Sequence, residues 1–169
     1  MVTNIQELLI ESGAIRFGEF TLASGAKSTY YVDIKTAVTD PCLLEAIGTA
    51  IAGAADFEVV AGVAVGAVPI AVATSLSSGK PYAVIRKSGK GYGLSEMIIG
   101  DVAGKKVLLV EDVTTSGGSV LYGIEALRRA GATVVGVVTV VDREQGARGA
   151  LADIGVPLIP LVSISEILG

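Results

Sequence analysis

The sequence predicts an α/β fold, a mostly parallel sheet with helices on both faces. Three observations carry this. Helical and strand patterns alternate along the chain, which builds βαβ units. The strand candidates are nearly unbroken aliphatic runs, VVAGVAV at 59–65, VLLV at 107–110 and TVVGVVTVV at 133–141, as strands covered on both faces require. Hydrophobic residues make up 51% of the chain but aromatics only 5%, so the core must be built from Val, Ile, Leu and Ala. At 169 residues the chain is long enough for one domain, 1–169, with a full core.

A first helix is expected over about 4–11, with Thr3 as N-cap, Gln6 closing a capping box and Gly13 ending it. The mixed polar and apolar residues there do not form a signal peptide. Residues 15–34 read as short strands around a turn at Ser24-Gly25-Ala26-Lys27. That turn lacks the adjacent Gly-Lys and the earlier Gly of a P-loop, which excludes one. Asp40-Pro41 opens a helix, an N-cap followed by proline at the first position, which runs to about Ala54. A strand at 58–64, a helix at 69–77 and a strand at 81–86 follow.

Residues 59–79 carry no charge and could span a bilayer by length alone. Gly62, Gly66, Pro69 and Gly79 punctuate them, so strand, tight turn and helix is the expectation and a membrane span is not. Residues 87–95, KSGKGYGLS, have the composition of a mobile loop. Beyond it come a short strand at 96–99, a strand at 106–110 and a helix at 118–129. Val120, Leu121, Ile124 and Leu127 give that helix one apolar face. Arg128 and Arg129 complement its C-terminal dipole, and Gly131 caps it. A strand at 133–141, a short helix at about 147–153, a strand at 157–162 and a last helical turn finish the chain. There is no internal repeat and no low-complexity linker.

Composition excludes several chemistries. The net charge is −4 without a basic run, which argues against a nucleic-acid surface. Histidine is absent. That removes a histidine base, a Ser-His-Asp triad and any His-ligated metal. Cys42 stands alone, so there is no internal disulfide and no multi-cysteine zinc site. A cysteine of this kind reads first as a small buried hydrophobe on a helix.

The chemistry concentrates in Val107–Ser119, VLLVEDVTTSGGS. A buried strand leads into two carboxylates, Glu111 and Asp112. A loop of small and hydroxylated residues, Thr114-Thr115-Ser116-Gly117-Gly118-Ser119, then opens directly into a helix. Glycines let the backbone approach an anion. The unpaired N–H groups and the positive dipole end of the helix point at it. Two carboxylates at the strand end can accept hydrogen bonds from a ribose diol. A plain strand-to-helix turn needs no such run of Thr, Ser and Gly, so the segment points to a phosphorylated ribose as ligand.

This segment resembles the phosphoribosyl-diphosphate motif of the type I phosphoribosyltransferases. Phe17-Gly18-Glu19-Phe20-Thr21-Leu22, with Ser24-Gly25, Lys27-Ser28 and Tyr30-Tyr31, is similar to the N-terminal signature of the orotate phosphoribosyltransferase family. Arg86-Lys87 and Lys90 resemble the start of that family's mobile catalytic loop, and Val141-Asp142-Arg143 the segment whose Arg holds the orotate carboxylate. The motifs stand in the family's order over nearly the whole chain. The resemblance implies a small N-terminal hood subdomain at 1–35 and a core at 36–169, with the mobile loop at about 87–95. It also implies transfer of the phosphoribosyl group from its diphosphate donor to orotate, in pyrimidine biosynthesis.

The resemblance implies roles too. Glu111 and Asp112 hold the ribose hydroxyls, and Val113, Thr114, Thr115, Ser116, Gly117, Gly118 and Ser119 wrap the 5-phosphate. Thr115 also touches orotate, Arg143 pairs with its carboxylate, and the backbone of Tyr31 and Val32 reads the pyrimidine edge. Arg86, Lys87 and Lys90, with Tyr92 beside them, handle the diphosphate, the three cations acting catalytically. Mg²⁺ is the implied cofactor, held mainly through the donor and not by direct protein ligands. The implied partner is a second copy whose loop completes each site, in the cytoplasm, with no nucleic acid and no membrane.

The chain departs from the family at three places. Ala23 stands where many members have Lys, Val65-Gly66 where many have Tyr-Lys, and Tyr92 where His is common. Backbone N–H groups of Gly66 and Ala67 must then serve the diphosphate, and Lys35 is a candidate substitute for the missing cation, with a solvated surface lysine the alternative. Two other readings fit the residues less well. A purine has no carboxylate to engage Arg143, and a regulator that only senses nucleotides needs no Arg86-Lys87-Lys90 set.

Overall fold

A computed structural model describes residues 4–87 and 97–169. The first half runs α1 (Ile5–Glu11), β1 (Ile15–Thr21), β2 (Lys27–Val32), α2 (Ile34–Ala37), α3 (Pro41–Ala52), β3 (Val59–Val63), α4 (Val68–Ser78) and β4 (Tyr82–Ile85). The second runs β5 (Ile98–Ile99), β6 (Lys106–Thr114), α5 (Gly118–Arg129), β7 (Thr133–Asp142), α6 (Ala147–Ala152), β8 (Leu158–Ser163) and α7 (Ile164–Leu168).

Six strands form one sheet of order β5-β4-β3-β6-β7-β8. Its pairs are parallel except β4 with β5. Side chains alternate across a strand with period two, and here both faces are covered. On one face Val60, Leu108, Val110 and Val138 pack with Leu9 of α1, Ile47 and Ile51 of α3 and Ile70 of α4. On the other, Val59, Ala61, Val107, Leu109 and Val137 pack with Ile124 and Leu127 of α5 and Leu151 of α6. Burial of each such side chain contributes about 1.5–3 kcal/mol, which explains why the strand sequences are aliphatic on both faces. β1 and β2 make a separate antiparallel ribbon, with its register shifted between Phe17 and Phe20.

The uncharged segment 59–79 is β3, a turn and α4, with Pro69 in the first turn and Gly79 closing the helix in the left-handed region. Among the described residues no helix is long and apolar enough to cross a membrane.

The structure corrects several local expectations. Asn4, not Thr3, caps α1, its side chain accepting from the Glu7 N–H at 3.4 Å; Thr3 lies outside the described residues. α2 has no counterpart among the expected elements. Asp33 caps it by accepting from Thr36 N–H at 3.1 Å. β6 does not stop at Val110. It continues through the acid pair to Thr114, because β7 keeps offering partners as far as Asp142. Cys42 is exposed on α3, not buried. The expectations for Lys90, Tyr92 and most of the loop at 87–95 lie outside the described residues.

At α3 sequence and structure agree on a testable detail. The Asp40 carboxylate accepts from Leu43 N–H at 2.9 Å, directly ahead of Pro41. Asp40→Ala is expected to cost about 0.5–2 kcal/mol, read as a lower urea midpoint with unchanged slope.

The connection from β3 through α4 returns to β4 on one side, whereas the connection from β6 through α5 returns to β7 on the other. The two helices also lie on opposite faces. Loops leaving in opposite directions open a crevice between the carboxyl ends of β3 and β6, where ligands of open α/β sheets bind.

Candidate active site

The acid pair lines this crevice. Glu111 is buried, with 5% of its surface exposed, and Asp112 is half-buried. The Asp112 N–H donates to Glu111 Oε1 at 3.0 Å. Burial, the hydrogen bond to the Asp112 side chain and the Asp112 charge push the Glu111 carboxyl up from 4.5 to about 8, while the Asp112 N–H and Ser119 hydroxyl pull against that rise. Glu111 therefore carries its proton through neutral pH.

Beyond the pair, Thr114 ends β6, and its hydroxyl donates to Asp142 Oδ1 at 2.9 Å. The chain then turns into α5 through Gly117, whose φ of +94° is a conformation that side chains resist. No side chain caps α5, so its first N–H groups face the crevice unblocked. A Cβ on Gly118 would meet nothing within 4 Å. The cradle is thus an open helix N-terminus of a twelve-residue helix, rimmed by Thr115, Ser116 and Ser119.

Gly66 closes the crevice from the β3 side. A Cβ placed on it would lie 2.7 Å from Asp112 Oδ2 and 2.9 Å from Lys35 Cε. Both are ends of flexible side chains, so a side chain at 66 would displace them from the turn, and with glycine there the two groups meet over its backbone. Ala67 begins α4 without a side-chain cap.

Arg143 follows β7, and its N–H donates to the Thr114 carbonyl at 2.9 Å, next to Thr115. Its guanidinium lies 5.1 Å from the centre of the Tyr30 ring, and Nε donates to the Tyr30 hydroxyl at 3.2 Å. Among the described residues no acid pairs with it within 4.0 Å. Neighbouring Glu144 instead accepts from Ser165 N–H and hydroxyl at 2.9 and 3.0 Å. The outer fork of Arg143 is left for a ligand, in the geometry that grips a planar carboxylate.

Tyr30 is the site residue that the sequence roles missed. The signature contains it, but the resemblance gives the orotate side to Tyr31 and Val32. Tyr31 turns its ring to Phe20, 5.7 Å away, and to Arg16. Val32 pairs with Ile15 in the ribbon. Both enter the neighbourhood through the backbone of β2, which Tyr30 docks on Arg143. Arg86 and Lys87 leave β4 exposed to solvent, and the Arg86 carbonyl accepts from the Tyr122 hydroxyl at 3.1 Å. The structure thus brings Glu111, Asp112, the 113–119 loop and Arg143 together.

A phosphoribosyl transferase domain matches residues 39–154. An orotate phosphoribosyltransferase of Methanoculleus marisnigri is 67% identical over 99% of both chains. The chain belongs to the orotate phosphoribosyltransferase family. Another member, from Methanocorpusculum labreanum, is 59% identical over 99% of both chains. Among solved structures, an orotate phosphoribosyltransferase of Mycobacterium tuberculosis in complex with 5-phospho-α-D-ribosyl 1-diphosphate superposes with a TM-score of 0.79 at 31% identity, covering 98% of this chain and 99% of that one. The same enzyme with Fe(III) dicitrate gives 0.83 at 33%, covering 98% and 99%. An adenine phosphoribosyltransferase at 17% identity and a TM-score of 0.73 shares the fold alone.

Proposed function

We propose that this site transfers the phosphoribosyl group as its family does. Orotate N1 attacks C1 of the ribose, the C1–oxygen bond to diphosphate breaks, and orotidine 5′-phosphate and diphosphate leave. The observation that carries the reading is the free fork of Arg143 held beside the acid pair and the open helix N-terminus. The 5-phosphate sits on the 113–119 backbone and hydroxyls, the ribose diol on Glu111 and Asp112, and the orotate carboxylate on Arg143. The transition state spreads positive charge over C1 and the ring oxygen while diphosphate gains negative charge. Arg86, Lys87 and Lys90 act on the latter. Orotate would react as its N1 anion, the N1 proton having passed to solvent, so a chain without histidine needs no histidine base.

Among the described residues no group of three or more acids, histidines or cysteines could cage a metal. Mg²⁺ keeps several waters and takes most other ligands from substrate phosphates, so the ion would be held mainly through the donor, with Glu111 and Asp112 engaged by the ribose diol beside it. Bound with the donor, the ion supplies charge neutralisation on the leaving diphosphate.

The same reading divides the chain into a hood, 1–35, and a core, 36–169. It pairs two copies in the cytoplasm, where an unpaired exposed cysteine such as Cys42 is stable. Leu76, Tyr82 and Ile99 are exposed apolar residues on α4, β4 and β5, at the sheet end where a second copy would cover them.

The deciding experiment follows orotate absorbance on adding phosphoribosyl diphosphate, with and without Mg²⁺, beside uracil and hypoxanthine. Magnesium-dependent loss of orotate alone is expected. No turnover with any base, despite tight donor binding, would overturn the reading in favour of a nucleotide sensor. Lys90→Ala is expected to lower kcat on the order of a hundredfold without loss of thermal stability. Mixing it with Arg143→Ala subunits should restore part of the activity if the loop serves the other copy's site.

A further inference from the structure

We infer that Lys35 is a donor-binding residue whose ammonium holds the diphosphate end of the phosphoribosyl donor beside Gly66. The inference rests on the reading of the site given above and deepens it. Its ground is a convergence of three segments. α2 is fixed by its Asp33 cap and by Ile34, which is 1% exposed in the core. That anchoring sends the Lys35 stem across the β3–α4 turn, where its Cε would lie 2.9 Å from a Cβ on Gly66. Asp112 Oδ2 reaches the same point from β6, at 2.7 Å. Lys35 and Asp112 thus meet over the same glycine of this turn.

The charge of Lys35 is unspent. Among the described residues it forms no ion pair within 4.0 Å, although Asp112 is its neighbour. The ligand brings a phosphate and a diphosphate to a crevice already lined by two acids. One phosphate takes the α5 N-terminus, on the β6 side. The diphosphate lies across the acid pair from it, toward the β3–α4 turn, where the residues at 65–67 are Val65, Gly66 and Ala67 and supply only backbone donors. Lys35 is the ammonium that reaches this turn from α2, whereas Arg86 and Lys87 approach from β4. An ammonium–diphosphate contact is a charge-assisted hydrogen bond, the strong kind.

The test compares Lys35→Met, which keeps the stem and removes the charge, with Lys35→Arg. Affinities for phosphoribosyl diphosphate, inorganic diphosphate and ribose 5-phosphate are measured by calorimetry, with melting temperature and steady-state constants alongside. Lys35→Met is expected to weaken both diphosphate ligands about tenfold or more, to raise the donor KM, and to leave ribose 5-phosphate affinity, orotate KM and melting temperature unchanged. Lys35→Arg should recover most of the loss. Unchanged diphosphate affinity in the Met variant overturns the inference. So does equal weakening of ribose 5-phosphate, since Lys35 would then only balance the acid pair. Wild-type protein that binds diphosphate through Lys35 yet never consumes orotate would overturn the reaction and leave this assignment standing.

Discussion

Arg143→Ala is expected to raise the KM for orotate about a hundredfold or more and to leave donor affinity unchanged. The guanidinium spends Nε on the Tyr30 hydroxyl and rests on that ring, which leaves its two outer nitrogens for a carboxylate. Two charge-assisted hydrogen bonds to a carboxylate, each worth about 1.5–3 kcal/mol, are lost together. The fold loses little, since among the described residues no acid depends on this cation. Lysine should not rescue, because a point charge cannot reproduce the fork. Tyr30→Phe keeps the ring and removes the acceptor, so its effect should be several-fold smaller and of the same kind. Steady-state kinetics paired with direct donor titration separates the two ligands. Orotate KM unaltered in Arg143→Ala would remove the carboxylate role from this residue.

The sheet was legible in the sequence because strands buried on both faces are aliphatic throughout, and Val59–Val63 and Thr133–Asp142 lie within a residue of their expected spans. The end of β6 was not. Glu111 and Asp112 look like loop residues by composition, and only the ladder from Glu111–Thr139 to Thr114–Asp142 makes them strand. α2 is four residues long, too short for any helical periodicity to register. Its sole local sign was Asp33 three positions before Thr36. The phosphate cradle was readable because its parts are contiguous. The Arg143–Tyr30 contact joins residues 113 apart in sequence, and the meeting of Lys35, Gly66 and Asp112 joins three segments. Neither leaves a local pattern, since tertiary packing creates both.

Glu111→Gln is expected to stabilise the free protein above neutral pH and to weaken the donor by at least about tenfold. The folded-state carboxyl is pushed up to about 8, whereas the unfolded chain ionises near 4.5. Between those values the native state holds a proton that the unfolded state has lost. Stability therefore falls as pH rises through that window and levels off above it. Glutamine keeps the shape and the acceptor for the Asp112 N–H but has no charge to bury. The variant should match wild type near pH 5 and exceed it at pH 9 by on the order of a few kcal/mol, with the gap opening across the window. Donor binding runs the other way. Ribose hydroxyls donate to the ionised carboxylate, so wild-type affinity should rise with pH up to about 8 as the proton is shed more cheaply, and the variant should lose that slope. A melting-temperature difference that stays flat from pH 5 to 9 would sink the argument. A widening difference together with a lost affinity slope would mean that one buried carboxyl sets both the instability of the site and its grip on the sugar, as expected where function is held against stability.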